Sequence, residues 1–322
     1  MKEKVNDIST RDLTLKQLNV LAAIAHTGKI TGAADVLGVT PPAVTAQLKL
    51  LEVQTGSALF DRTPAGMRLT DAGRYVLGIQ SRMQSLLDEC RDGLMEMRGL
   101  SRGRLVVGAV TNAKYFVPRI LAAFAQSHAA VDIDLTIANR QTIASALDEL
   151  RIDIAIMGRP VDMSAVNGEI IGSHPHVFIA APNHRLVRRS RLLLEDLASE
   201  TLLLRERGSG TRLLLERTLL NSQVEMRASM QIGDNEAIKQ AVMANLGIAF
   251  VSAHTIMAEI TAKQVAVLPL QGFPIIRQWY AVHAKSKALM PAGIAMWNFL
   301  RTDASAYLPE IAANAHLAAS AT

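Results

Sequence analysis

One cysteine, Cys90, stands in 322 residues, which excludes a disulfide framework and any cysteine-based zinc site. Aromatic residues make up only 4% of the chain, which argues against stacking-based binding of single strands or sugars. No run of about 18 apolar residues occurs, so no membrane-spanning helix is expected. The opening MKEKVNDISTRD is charged and has no apolar core of a secretory signal. A soluble, cytoplasmic protein without membrane contact is the expectation. What is present is an apolar fraction of 49%, ample for real cores, and a formal net charge of +5. That charge permits nucleic acid or an anionic metabolite as partner and selects neither.

Residues 15 to 58 read as three helices with short turns. Leu15, Leu18, Ala22 and Ala25 form a first apolar stripe that ends at Thr27-Gly28, with the glycine as C-cap. Thr31 is the expected cap of a second short helix, GAADVL, whose Ala33, Ala34 and Leu37 allow close packing. Thr40 is the expected N-cap of a third helix. Pro41 and Pro42 are tolerated in its first turn, where a fixed φ and a missing N–H cost little. Val44, Leu48 and Leu51 fall at i, i+4 and i+7 and form its buried face. The outward face, Pro42, Thr45, Ala46 and Lys49, is small and lightly charged.

The stretch ALFDRTPAGMRLTDAG reads as a hairpin, with extended runs around Leu59–Arg62 and Met67–Leu69 and a turn at Thr63-Pro64-Ala65-Gly66. Thr70 and Asp71 start a long helix to about Arg98. On it Val76, Met83, Cys90 and Met97 alternate with Gln80, Leu87 and Leu94 at heptad spacing, the pattern of a helix that pairs with another. The alternative is an amphipathic helix lying on its own domain. Beyond Gly103 the texture becomes strand–helix alternation. RLVVGAV (104–110), VDIDLTIA (131–138) and DIAIMG (153–158) form one set. HVFIAAP (176–182), TLLLRE (201–206), SMQIG (229–233) and GIAFVSA (247–253) form a second, with QWYAVHA (278–284) and a helix from Met290 to Leu300 closing the pattern. Such alternation implies βαβ units with parallel sheets. Two units joined by two crossings create a cleft.

Two constellations carry chemistry. The three-helix run with its hairpin suits a helix–turn–helix, whose recognition helix enters the major groove. Thr45 has a hydroxyl and a methyl for base edges, Ala46 suits a thymine methyl, and Lys49 supplies charge. An early-capped helix start also favours a phosphate, and Arg62 and Arg68 read as a wing on the backbone or minor groove. Thr31, Thr40, Pro42, Thr45, Ala46, Lys49, Arg62 and Arg68 are therefore the expected DNA contacts; a generic three-helix bundle is the plain alternative.

The second constellation is the cleft. Thr111, Asn112 and Lys114 follow the first strand, Asn139 and Arg140 the second, and Arg159 the third. These are carboxyl ends of strands, where open α/β sheets bind ligands. The loop with Arg205, Arg207, Gly208, Ser209, Gly210 and Thr211 opens a helix whose N–H groups suit an anion. Asn235 and Glu236 start another. No Gly-Lys-Ser/Thr follows, so this is no Walker loop. Five basic groups at strand ends together point to an anionic ligand, although each alone suits a solvated surface. Catalysis is not expected. Cys90 falls on the heptad seam, and His174 and His176 lack the further carboxylate or cysteine that a metal site needs.

The run LTLKQLNVLAAIAHTGKITGAADVLGVTPPAVTAQLKLLEVQTGSALFDRTPAGMRLTDAG resembles the winged helix–turn–helix of LysR-type transcriptional regulators. The resemblance rests on the AAxxLxVTxPAVxxQLKxLE core, the following G-x-x-LF-x-R and LTxAG. Members commonly carry Ser where Thr45 stands and a basic residue where Gly32 stands; Thr45 keeps the hydroxyl and Gly32 loses a phosphate contact. The implied fold is α+β and multi-domain: a winged helix–turn–helix over 12–70, a linker helix that dimerises over 71–99, and a two-lobed α/β effector domain like type 2 periplasmic binding proteins. Lobe I takes 104–172 and 274–301, lobe II takes 173–273, and 307–322 form a weakly ordered tail. Val76, Met83, Leu87, Cys90, Leu94 and Met97 are the expected dimer seam.

TNAKYFVPRILAAF, NRQTIASAL, DIAIMGRP, ERGSGTR and NEAIKQAVMANLGIAF further resemble the regulators of RuBisCO operons. This implies an activator of carbon-fixation genes and not an enzyme. It would have no fixed cofactor but an effector such as ribulose bisphosphate, phosphoenolpyruvate, NADPH or ATP. The implied partners are an interrupted palindrome in double-stranded DNA, a second chain with assembly to a homotetramer, and RNA polymerase. Two alternatives remain: a LysR-type regulator of amino-acid or aromatic catabolism, and a solute-binding receptor. The second would need a secretion signal and no DNA-binding head.

Overall fold

The computed structural model describes residues 13–97, 103–160 and 162–309. Residues 12, 98, 99, 161 and 310–322 of the expected domains lie outside the described residues, as does the Met97 side chain. Contacts divide the chain into two units, the first reaching Arg91 and including the short segment Glu149–Arg151.

In the first unit α1 (Leu15–Thr27) opens on a capping box: Gln17 N donates to Thr14 Oγ1 at 3.3 Å, and Thr14 N donates to Gln17 Oε1 at 2.8 Å. Its buried face is Leu18, Leu21 and Ile24, flanked by Gln17 and Val20. The expected stripe is thus displaced. Leu15 is exposed and Ala22 and Ala25 are half-buried, because facing Leu21 and Ile24 inward removes more apolar area from water than facing two alanines.

The second helix, α2 (Ile30–Leu37), starts directly from Lys29, so Thr31 lies inside its first turn and is no cap. Ala33 and Ala34 are buried beneath it, while Leu37 is half-buried. The third, α3 (Pro41–Thr55), starts at extended Thr40 with prolines at its first two positions, and buries Val44, Leu48 and Leu51. Thr40 makes no side-chain capping bond, so it marks the helix start by backbone conformation alone.

The strands β1 (Phe60–Thr63) and β2 (Gly66–Leu69) form a two-residue hairpin around Pro64-Ala65. It is tied back to the helices by Met67 N to Gly28 O at 2.9 Å and Leu59 N to Glu52 Oε1 at 2.8 Å. The long helix α4 (Asp71–Met97) is capped by Thr70, whose Oγ1 accepts from Gly73 N at 3.0 Å. Val76 and Leu77 pack into the head core, and buried Gln80 donates to Asn19 Oδ1 at 3.2 Å. Val76 therefore belongs to the head core, because the first two turns of α4 lie on α1 and the hairpin. Met83, Leu87, Cys90 and Leu94 are exposed along the same helix.

The second unit is built on one strand path. It runs β3 (Arg104–Val110), α5 (Val117–Ser127), β4 (Asp132–Ala138), α6 (Arg140–Asp148), β5 (Ile154–Gly158) and the long β6 (Val166–Ala180). Then follow β7 (Thr201–Arg205), α7 (Gly210–Ser222), β8 (Arg227–Ile232), α8 (Asn235–Met243) and β9 (Ile248–Ser252). The short α9 (Met257–Thr261) and β10 (Ala266–Val267) lead into β11 (Ile275–Ala284) and α10 (Pro291–Thr302).

The spatial order is β4-β3-β5-β11-β6-β9-β7-β8, with β10 beside β6. The outer strands of each lobe pair in parallel, as the βαβ pattern requires. β11 runs antiparallel to β5 and β6, and β6 antiparallel to β9. β6 and β11 thus belong to both lobes, and the expected boundary at 172/173 falls inside β6. The first half of β6 escapes detection in the sequence because Asn167-Gly168-Glu169 and Gly172-Ser173 interrupt its apolar pattern; only Val166 and Ile171 are buried there, and Ile170 is 57% exposed. Lobe I packs around Phe116, Phe124, Ile154 and Trp279. Lobe II packs around Phe178, Phe250 and Ile248 on one face of its sheet and Ile179, Val242 and Val251 on the other.

The start of α4 leaves no room for a side chain: a Cβ on Gly73 would sit 2.0 Å from Leu59 O. Gly73→Ala should destabilise the head by about 1–3 kcal/mol through forced overpacking. Gly78→Ala meets nothing within 4 Å and should stabilise by about 0.5–1 kcal/mol through helix propensity. Hydrogen-exchange protection at Leu21 and Leu51 reads both; equal effects of the two substitutions would contradict the packing described.

Candidate functional site

The outward face of α3 consists of Pro42, Ala46 and Lys49, all exposed, with half-buried Thr45 beside them. The buried trio Val44, Leu48 and Leu51 holds this face outward. Thr45 Oγ1 donates to Pro41 O at 3.0 Å, so its hydroxyl is left as an acceptor and its methyl as an apolar contact. The helix start is a poorer phosphate cradle than the sequence suggested. Pro41 and Pro42 have no N–H, and Val44 N donates to Thr40 O at 3.2 Å, which leaves only the Ala43 amide of the first turn. On the hairpin, Asp61 stands opposite Arg68 and Arg62 opposite Met67. Directly opposed residues share a face and neighbours alternate. Arg62 and Arg68 therefore project to opposite sides of the ribbon and do not form one basic edge. Thr31 and Thr40 are exposed.

The second unit contains a cavity of about 500 Å³ where the two lobes meet. Thr111 and Asn112 line it from the end of β3, Asn139 and Arg140 from the end of β4, and Arg159 from the end of β5. Ser209, Gly210 and Thr211 line it from the start of α7, and His174 and His176 from the crossing strand β6. Arg217 on α7 and Arg277 on β11 complete its basic wall. Ser209, at the N-cap of α7, makes no side-chain capping bond. The first backbone bond of α7 is Leu213 N to Ser209 O, so the N–H groups of Gly210, Thr211 and Arg212 have no helical acceptor.

Arg205 does not line this cavity. It is buried, 3% exposed, and its donors are spent. Nε donates to Glu206 Oε2 at 2.8 Å, Nη2 to Glu206 Oε1 at 3.0 Å and to Thr111 Oγ1 at 3.3 Å. Nη1 donates to Asn112 Oδ1 at 3.3 Å and to Asn235 Oδ1. Asn235 Nδ2 donates to Asn112 Oδ1 at 2.8 Å, and Asn112 Nδ2 to Thr211 Oγ1 at 3.0 Å. This network ties the end of β3 to lobe II.

A second tie lies beside it. Lys114 pairs with Glu236 at 3.5 Å and Asp234 at 3.9 Å, and Tyr115 donates its phenol hydrogen to Glu236. Buried Lys239 reaches Glu236 at 2.8 Å, Glu259 at 2.6 Å and Thr255 O at 3.1 Å. Burial, then the bond to Glu236 and the carboxylates around it, push the Tyr115 phenol up. Burial alone would raise Glu236, but the bonds from Lys239 and Tyr115 and the charges of Lys239 and Lys114 outweigh it and hold it below the usual range.

Of the expected effector contacts, Lys114, Arg205, Arg207, Gly208, Asn235 and Glu236 thus stand outside the cavity lining. Arg205, Asn235, Lys114 and Glu236 are consumed in holding the lobes together, and Arg207 is exposed. The sequence reading missed His174, His176, Arg217 and Arg277. The alternation of the crossing strands held the signal: residues two apart on β6 share a face.

The wall is charge-unbalanced. Glu206 is the only carboxylate lining the cavity, and Arg205 occupies both of its oxygens. Arg140, Arg159, Arg217 and Arg277 have no carboxylate partner among the described residues. Burial and then the charge of Arg277 push the Arg140 guanidinium down from its ordinary value of 12.5, while Arg140 Nη2 donates to Arg159 O at 2.9 Å. Among the described residues no group of three His, Cys, Asp or Glu side chains is placed to hold a metal ion. None of the described helices is long and apolar enough to cross a membrane.

Residues 15–74 match the bacterial regulatory helix-turn-helix protein, lysR family, and residues 98–305 the LysR substrate binding domain. The HTH-type transcriptional regulator CbbR of Xanthobacter flavus is 42% identical over 300 residues, 92% of this chain and 90% of that protein. The RuBisCO operon transcriptional regulator of Allochromatium vinosum is 37% identical over 91% of this chain and 97% of its own. Among solved structures, the Synechocystis PCC6803 CcmR regulatory domain in complex with 2-PG is 32% identical with a TM-score of 0.60. It covers 62% of this chain and 96% of that one. Full-length CbnR complexed with target DNA shares the fold, with a TM-score of 0.65 at 22% identity, over 90% of this chain and 99% of its own.

His174 and His176 at the cavity, with His254 beside Trp279, should make stability of the second unit pH-dependent. Burial pushes His176 down to about 3 and His254 to about 4, from an ordinary 6.5, and His174 well below it. Each depressed group contributes stability that is fully present above pH 6.5. It is lost as pH falls from 6.5 toward 3–4, because only the unfolded chain then takes up the proton. The slope is at most about 1.4 kcal/mol per pH unit for each histidine. The unfolding free energy from urea titration, followed by the fluorescence of Trp279 and Trp297, should be flat from pH 7 to 8 and fall steeply from 6 to 4.5. A flat profile through pH 4.5 would show these rings to be solvated.

Proposed function

We propose that this chain, which belongs to the LysR family of transcriptional regulators, activates carbon-fixation genes in response to a small phosphorylated anion held between its effector lobes. The observation that carries this reading is the cavity with four arginines lacking carboxylate partners beside an open helix start. Guanidinium forks bind phosphate oxygens bidentately, and the free N–H groups of α7 with its dipole favour negative charge. An uncharged effector would leave that wall unbalanced.

The pathway rests on the relatives. A chain 42% identical is named CbbR, another is named for the RuBisCO operon, and a 38% identical one is the transcriptional activator CmpR of Synechocystis. The effector class gains support from the 2-PG in the complex of the similar regulatory domain. Ribulose bisphosphate, phosphoenolpyruvate, NADPH and ATP all fit the charge of the wall. Specific recognition uses the α3 face with Thr45, Ala46 and Lys49, and Arg62 or Arg68 on the backbone. A dimer formed through Met83, Leu87, Cys90 and Leu94 presents two heads to an interrupted palindrome; a tetramer and contact with RNA polymerase complete the mechanism.

The test is a footprint on DNA upstream of a RuBisCO operon, with and without these metabolites. Lys49→Ala should weaken binding across sequences and lower the slope of log K against log salt by about 1. Arg140→Ala and Arg277→Ala should keep basal DNA binding and lose the metabolite response. Normal responses in both arginine variants would sink the cleft assignment, and an unaltered footprint with Lys49→Ala would sink the assignment of the α3 face.

A further inference from the structure

The floor of the cavity differs in chemistry from its walls. His174 and His176 stand two residues apart on β6, so both face the cavity. His176 Nδ1 lies 3.1 Å from His174 O. A carbonyl oxygen only accepts, so Nδ1 carries the ring proton and Nε2 is a bare lone pair. His176 Nε2 makes no hydrogen bond among the described residues.

Neither ring is free to turn away. His174 stacks on Trp279 with centroids 3.7 Å apart and planes 14° from parallel, and His176 stacks on Phe250 at 5.5 Å and 22°. His174 Nε2 is held by Ser252 Oγ at 3.0 Å.

The groups facing this pair are almost all cationic or neutral. Arg277 of β11 stands opposite His174 in register. His254, beyond β9, accepts from Trp279 Nε1 at 3.1 Å through its Nδ1 and is therefore neutral, with Arg119 of α5 acting on it. Arg140 and Arg159 face the cavity from lobe I, and Arg217 and the start of α7 from lobe II. Glu206, the one carboxylate, is occupied by Arg205. The walls thus attract an anion toward a floor that meets it with a lone pair. Two lone pairs in contact repel unless a proton lies between them.

We propose that the effector anion binds together with one proton, taken from solvent and shared between an anion oxygen and the His174–His176 floor, so that affinity rises as pH falls. Two arrangements satisfy the geometry: imidazolium N–H donating to the anion, or a protonated phosphate donating to Nε2. Each holds one proton more than the separated neutral ring and phosphate dianion. The consequence for regulation is that the cleft reads the product of effector and proton concentrations. This inference rests on the anion-binding reading of the cavity and adds its proton stoichiometry.

The experiment is calorimetric titration of the full chain with phosphoenolpyruvate and with inorganic phosphate at pH 7.5, in two buffers of different ionisation enthalpy. The expected result is an observed heat that changes with buffer as uptake of about one proton per site requires for phosphoenolpyruvate, and less for inorganic phosphate, part of which already carries the proton at this pH. The dissociation constant should rise up to about tenfold per pH unit between pH 7.5 and 8.5. His176→Gln presents an amide N–H without needing a proton, so it should bind with little buffer dependence and a flat pH profile. Because the proton count is read on the unaltered chain, the proposal stays testable if that variant does not fold. Binding with no proton uptake overturns the inference and leaves the anion site standing. Uptake that persists unchanged in both His176→Gln and His174→Gln also overturns it. No binding of either probe at any pH, with Arg140→Ala indistinguishable from the parent chain, overturns the anion site and the inference together.

Discussion

The effector unit turns on one buried guanidinium. Arg205 is 3% exposed, and a buried charge is tolerated only where a counter-charge and hydrogen bonds replace the lost water. Here Glu206 supplies the counter-charge and Thr111, Asn112 and Asn235 supply the bonds. Thr111 and Asn112 lie in lobe I, while Arg205 and Asn235 lie in lobe II, so satisfying the charge draws the two sets of strand ends together. A second consequence follows for the cavity. Because Arg205 takes both oxygens of Glu206, the wall has no free carboxylate to neutralise Arg140, Arg159, Arg217 and Arg277. The network that closes the lobes is also what leaves the cavity positive.

Two helix starts in this chain show how sequence divides labour between similar elements. The start of α3 carries Pro41 and Pro42, which fix its entry angle and remove two amide donors. On the proposed reading, its contribution to DNA binding comes mainly from side chains on its outer face, since only the Ala43 amide of its first turn is left. The start of α7 is the reverse. Gly210 and Thr211 keep their N–H groups, Ser209 does not cap them, and the helix runs thirteen residues with its dipole intact. A proline at either of those positions of α7 would remove a donor from the cavity, whereas in α3 it fixes the entry of the chain into the helix.

Much of this was legible in the residues, and the failures have a common cause. The spacing of Val44, Leu48 and Leu51, the hairpin turn and the βαβ alternation all depend on contacts within a few residues or on one periodicity. The buried face of α1 was misjudged because Leu15, Ala22 and Ala25 have helical spacing too, and only the packed head shows that Leu21 and Ile24 win. Arg205 and Arg207 look equivalent in RERGSGTR, yet one is buried in a network and the other exposed. That difference is decided by Asn112 and Asn235, 93 and 30 residues away. The sequence excludes His174 and His176 as metal ligands for want of a carboxylate or cysteine, but their place in the cavity depends on Trp279, Ser252 and Phe250, which are remote in sequence. Local chemistry was readable; the pairing of remote polar groups was not.

The same pairing constrains how an effector can act. A ligand shifts a conformational equilibrium only by its difference in affinity between the two states. In the arrangement described, the lobes are already tied by Arg205 with Asn112 and by Lys114 and Tyr115 with Glu236, so the ligand is not needed to bring them together. What remains to be altered is the mutual repulsion of the arginines around the cavity, contributed by both lobes and screened by nothing within the wall. An anion bound among them turns that repulsion into attraction in the closed arrangement, and a neutral molecule does not. For the anionic effector proposed, the differential affinity would lie in the charge of the ligand and not in its contacts alone. Coupling energies of about 1–3 kcal/mol are typical of such linked sites. Repulsion of that order sets how much an anion can tighten an arrangement that the ties already hold.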